Sequence, residues 1–166
     1  MKNITLIGMP GSGKSTVGVL LAKSLGFGFV DTDLLIQQKE GELLQQVLDR
    51  LGTEAFLDLE ADVIAGVNCE KSVIAPGGSV VCREKGIRRL KEISTVVYLN
   101  IPCPVLEQRI QNMGSRGIAF QPGETLEDVY RYRAPLYERY ADLVVDGDRD
   151  SLEATLAAVL QALIGL

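Results

Sequence analysis

Near its start the chain carries Gly8-Met9-Pro10-Gly11-Ser12-Gly13-Lys14-Ser15, which fits the pattern G-x-x-x-x-G-K-[ST] in full. Phosphate oxygens need many donors close together. Glycines let the backbone wrap tightly enough to supply them as N–H groups, and the helix that follows adds its positive end. The pattern therefore implies a polyphosphate cradle formed by Gly11, Ser12, Gly13, Lys14, Ser15 and Thr16. Lys14 would reach the β- and γ-phosphates of ATP, and the Ser15 hydroxyl would ligate Mg²⁺. A ligand-free strand-to-helix turn is the competing explanation, and the completeness of the pattern outweighs it.

Two further polar segments have residues suited to phosphoryl transfer. Asp31-Thr32-Asp33 follows the apolar pair Phe29-Val30. In an extended segment both carboxylates would face the same way, into a common crevice. Helix capping is the competing role for either one. Pro76-Gly77-Gly78-Ser79 ends another apolar run, and glycines there would let backbone N–H groups approach a ligand. A simple turn after Pro76 explains the glycines almost as well. The chain has no histidine, which excludes a Ser-His-Asp triad, a His-ligated zinc and a His base. Any proton acceptor must be an Asp or a Glu.

These segments need elements to hold them. Apolar runs at 3–7, 29–30, 72–75, 95–99 and 143–145 read as strands. Helical spacing covers 14–25, two or three helices within 34–67, then 84–93, 105–111, 126–140 and 152–163. Residues 113–125 hold three glycines and a proline and read as a mobile loop. Strands alternating with helices imply a parallel sheet covered on both faces. Ligands of such sheets bind beyond the carboxyl ends of the strands, so residues 8–15, 31–33 and 77–79 are expected to converge there.

With 166 residues, one domain is expected. Net charge is −5, which argues against nucleic-acid partners, so an anionic substrate must meet a local cluster of Arg and Lys. Cys69, Cys82 and Cys103 form no CxxC pair and read as reduced thiols. No apolar run reaches the ~18 residues of a membrane span, and no signal peptide is visible, so a cytoplasmic monomer is expected.

The combination resembles the shikimate kinase family over nearly the whole chain. The resemblance rests on the glycine loop 8–16, on Phe29-Val-Asp-Thr-Asp33, and on Gly52-Thr-Glu-Ala-Phe56 with Glu60. It continues through Pro76-Gly77-Gly78, Arg116, and Arg133-Ala-Pro-Leu-Tyr137 followed by Ala141. It implies an α/β fold: a three-layer α/β/α P-loop kinase with a central, mostly parallel five-stranded sheet and a mobile lid at 113–124. It also implies a substrate-binding helical segment within 31–70. The implied activity is ATP- and Mg²⁺-dependent phosphorylation of shikimate, a step of aromatic amino acid biosynthesis. By the same resemblance Asp31 would hold the metal. Asp33 would bind the acceptor hydroxyls and take the proton of the attacking one. Gly77 and Gly78 would face the acceptor, and Arg133 would clasp its carboxylate. Arg116 would close over the transferring phosphate, and Arg149 would stack on adenine.

Three places depart from the family pattern. Leu57 stands where the family carries a substrate-binding arginine, Ser79 where it has a third glycine, and Ser115-Arg116-Gly117-Ile118 where its lid reads Arg-Pro-Leu-Leu. All three touch the acceptor half. A kinase for another small alcohol, such as a hydroxy amino acid or a sugar acid, therefore remains open, as does an inactive nucleotide-binding relative. If shikimate is the acceptor, Arg133 must hold its carboxylate largely alone unless Arg50 helps. An arginine restored at position 57 is expected to lower the KM for shikimate.

Overall fold

The computed structural model describes residues 2–111, 121–147 and 151–166. Arg116, Arg149 and most of the expected lid segment lie outside the described residues. The described elements are β1 (Asn3–Ile7), α1 (Lys14–Leu25), β2 (Gly28–Asp31), α2 (Thr32–Glu40), α3 (Leu44–Leu51) and α4 (Thr53–Ala65). Then come β3 (Ser72–Ala75), a 3-10 turn (Gly78–Cys82), α5 (Glu84–Ile93), β4 (Ser94–Asn100), α6 (Cys103–Gln111), α7 (Leu126–Tyr140), β5 (Leu143–Asp146) and α8 (Leu152–Ile164).

The five strands form one sheet in the order β2-β3-β1-β4-β5. All four pairings are parallel, with Thr5 opposite both Ile74 and Val96, and Phe29 opposite Val73. The alternation along β4 shows why the sheet needs cover on both faces. Val96 and Tyr98 enter one apolar cluster, which includes Ile64 of α4, Leu90 of α5, Leu106 of α6 and Val129 of α7. Val97 and Leu99 enter the other, with Val17 and Leu21 of α1 and Val159 of α8. The expected three-layer α/β/α architecture is thus the observed one, with β1 at the centre and the glycine loop at its carboxyl end.

A third apolar cluster lies within α2–α4, built from Ile36, Leu44, Val47, Leu48, Phe56 and Leu57. Leu57 is therefore a packing residue, only 6% exposed. Arg50, considered above as a replacement cation, is engaged elsewhere. It donates to Glu42 at 2.7 Å and to Glu40 at 3.0 Å on the exposed side of α3. Asp58 is likewise occupied by Arg83, at 2.8 Å.

These facts change what an arginine at position 57 should do. A buried charge in the α2–α4 cluster is destabilising, by about 1–3 kcal/mol. At ~2–4 °C per kcal/mol for a chain of this size, the melting temperature should fall by roughly 2–12 °C. Because residues three apart share a helix face, the guanidinium can still reach toward Glu60, while the neighbouring Asp58 is already engaged by Arg83. Leu57→Arg is expected to lower both the melting temperature and the KM for shikimate, leaving the KM for ATP alone. A destabilised variant with unchanged shikimate KM would put position 57 out of reach of the acceptor.

Candidate active site

The glycine loop leaves β1 and turns into α1 with Gly13 as the helix N-cap, at φ 91° in the left-handed region. That conformation suits glycine and strains any other common residue. The other end of the loop is as confined: a Cβ at Gly8, where φ is 152°, would lie 2.8 Å from the Leu99 carbonyl oxygen. Lys14 is buried, and its Nζ donates to the carbonyls of Gly8 and Met9 at 2.9 Å each. Ser15 and Thr16 are exposed at the open end of α1.

Asp31 is the last residue of β2 and the N-cap of α2, its Oδ1 accepting from the backbone N–H of Asp33 at 2.9 Å. The expectation of an extended Asp-Thr-Asp segment is corrected here. Asp33 lies in the first turn of a helix, so alternation along a strand is not what aims the two carboxylates. They remain close enough to act on one another. The Asp33 pKa is pushed up to about 6 by burial and by the Asp31 charge, with Lys14 pulling against both.

The 3-10 turn after β3 brings the two glycines into the same crevice. A Cβ at Gly78 would sit 2.8 Å from Cδ of Pro10. One at Gly77 would sit 2.9 Å from Glu60 Oε2 and 3.2 Å from Asp33 Oδ1. The segments 8–15, 31–33 and 77–79 therefore meet, as expected.

Helix α7 supplies the fourth wall. Arg133 and Tyr137 are four residues apart, hence on one face, and both are buried. Tyr137 donates its hydroxyl hydrogen to the Gly78 carbonyl, which ties α7 to the turn. Burial pushes the Tyr137 hydroxyl well above its ordinary range, with the Arg133 guanidinium pulling against it.

Charges of both signs crowd this crevice. Burial lowers the Lys14 pKa to about 8; Asp33, Asp31 and Glu60 pull it back up, while Arg133 presses it further down. Glu60, on α4 and 2% exposed, is raised to about 7, chiefly by burial. Buried cations of this kind can bind an anion and polarise a phosphoryl group, and a buried carboxylate of raised pKa can accept a proton.

Two residues near the site were not singled out from the sequence as site residues. Glu60 was noted only as part of a family motif. Arg109 donates to the Gly11 carbonyl at 3.1 Å from α6, across 98 positions of sequence, so no local pattern could have flagged it.

A complete phosphate loop at the central strand, buried carboxylates beside it and a buried arginine across the crevice define a P-loop phosphotransferase for small acceptors. Comparison with known proteins narrows the class. The family model "Shikimate kinase" matches residues 10–164. A shikimate kinase of Paracidovorax citrulli is 40% identical over 93% of this chain and 87% of its own. One from Thermodesulfovibrio yellowstonii is 37% identical over 88% and 86%. Among solved structures, shikimate kinase from Acinetobacter baumannii in complex with shikimate superimposes with a TM-score of 0.89. It is 28% identical and aligns over 99% of this chain and 94% of its own. The chain belongs to the shikimate kinase family.

Proposed function

We propose that this protein transfers the γ-phosphate of ATP to a hydroxyl of shikimate, giving shikimate 3-phosphate. The observation that carries the reading is the near-complete match to shikimate kinases, including a relative described with shikimate bound. In this reading the N–H groups of residues 11–16 cradle the phosphates. Lys14 neutralises charge that grows on the transferring group. Asp33 takes the proton of the attacking hydroxyl, and Arg133 holds the acceptor carboxylate. Gly77 and Gly78 let the acceptor lie against backbone. Arg116 would close over the phosphate and Arg149 would lie against adenine, roles that only the family resemblance implies, since both lie outside the described residues.

The donor set fits Mg²⁺. The Ser15 hydroxyl and the Asp31 carboxylate are hard oxygen ligands, and among the described residues no cluster of three or more His, Cys, Asp or Glu forms a dedicated metal cage. Mg²⁺ is commonly held by one or two protein ligands plus phosphates and water. When bound, it would offset charge on the β- and γ-phosphates.

No helix among the described residues is long and apolar enough to cross a membrane. Leu57 favours a second reading, an acceptor whose carboxylate is absent or placed differently. A coupled ADP-release assay with shikimate, quinate, gluconate and homoserine separates the two. Shikimate should give by far the highest kcat/KM, and a higher value for another alcohol would replace it as acceptor.

A further inference from the structure

We propose that Ser79 is a positioning residue of the acceptor site: its hydroxyl holds one oxygen of the Glu60 carboxylate, so that the other faces the acceptor crevice. The Ser79 hydroxyl donates to Glu60 Oε1 at 2.7 Å. Both residues are buried, at 6% and 2% exposure, so water does not replace this bond. With Oε1 taken, Oε2 faces the Gly77 backbone beside Asp33 Oδ1. The carboxylate thus forms part of the wall against which an acceptor would lie.

Position 57 makes this bond necessary. It lies three residues before Glu60, on the same face of α4, where a long cationic side chain would reach the carboxylate. Leu57 instead fills the α2–α4 apolar cluster and offers no donor. The arginines Arg50 and Arg83 are bound to other carboxylates at the surface. A buried carboxylate needs hydrogen-bond donors, and a glycine at position 79 would supply no side-chain donor. Leu57 and Ser79 therefore act as a matched pair: the donor that α4 lacks comes from the turn after β3.

The electrostatics agree. Burial raises the Glu60 pKa most, and Asp33 of α2 adds to it. The Ser79 hydrogen bond lowers it, as do the charges of Arg133 on α7 and Lys14 on α1. Cys82 of the 3-10 turn and Tyr137 of α7 also lie close enough to feel the charge of this carboxylate. Without the Ser79 hydroxyl, Glu60 would hold its proton to higher pH and present a neutral group to Arg133. The expected consequence is weaker acceptor binding with the nucleotide half untouched.

The test has two arms, and only the kinetic arm rests on the shikimate reading. In the first, carboxyl-labelled glutamates are titrated by carbon NMR in the nucleotide-free protein, with Glu60 assigned through Glu60→Gln. Ser79→Ala should move the Glu60 midpoint up by about one pH unit, the scale of one hydrogen bond to a charged group. Ser79→Thr, which keeps the hydroxyl, should restore it. In the second arm, Ser79→Ala should raise the KM for shikimate about tenfold and leave kcat and the KM for ATP within about twofold. In a Glu60→Gln background the same change should move that KM by less than about twofold, because the bond it removes has lost its charge. An unmoved Glu60 midpoint, or an equal KM change in both backgrounds, would overturn the assignment. If wild type does not phosphorylate shikimate while the Glu60 midpoint still moves, the substrate reading falls and the Ser79 assignment stands.

Discussion

Lys14→Ala is expected to lower kcat about a thousandfold or more, with the fold intact. The ammonium is buried, and it is held over the loop by the Gly8 and Met9 carbonyls. Its pKa of about 8 keeps it mostly charged at neutral pH, because Asp33, Asp31 and Glu60 oppose the effect of burial. A fixed positive charge in a site of low polarity acts most strongly on charge that develops during transfer. Removing a single neutral donor from such a site costs ~10²–10³ in kcat, and a full charge should cost at least as much. Lys14 itself belongs to none of the three apolar clusters, so circular dichroism and the melting temperature should change little. A folded Lys14→Ala protein turning over within a few-fold of wild type would remove Lys14 from the chemistry.

Asp33→Asn is expected to reduce kcat by about 10²–10⁴, the usual contribution of a positioned general base. The change is isosteric. It leaves the α2 cap intact, since the cap uses the backbone N–H of Asp33 and the side chain of Asp31. Nucleotide affinity should therefore stay within about threefold. Asp31→Asn should behave differently, with a raised Mg²⁺ requirement and a smaller loss at saturating metal. Fluorescent-nucleotide titration together with acceptor kinetics separates the two. Equal weakening of ATP binding by both changes, with acceptor KM untouched, would show that the division of roles is wrong.

Much of this was legible in the chain because it is local. The glycine loop is contiguous, and β1 and β4 are short apolar runs whose alternation or two-sided burial follows from their composition. The strands and the meeting of three loops follow from the α/β pattern alone. What was not legible depends on contacts across the fold. Asp31 and Asp33 looked like an extended pair because nothing within Asp-Thr-Asp shows that the helix begins one residue after Asp31. The turn at Gly78–Cys82 contains Val80-Val81, a β-branched pair with no helical signature, yet it winds into a 3-10 turn. In the sequence Ser79 is only a missing glycine, because the carboxylate its hydroxyl binds, that of Glu60, lies 19 positions away. Leu57 read as a hole in the acceptor site, and its packing with α2 and α3 became visible only once the three helices were assembled.

A shikimate kinase phosphorylates one hydroxyl of one acceptor, and phosphorus NMR of the product reads out which. Purified protein is incubated with ATP, Mg²⁺ and shikimate, and the phosphorus resonance is correlated with the protons of the hydroxylated carbocyclic ring. The expected product is a single monoester whose phosphorus couples to the proton on carbon 3, formed in step with ADP and absent with Lys14→Ala. ADP appearing together with inorganic phosphate and no ester would contradict it, as would a monoester at a different carbon.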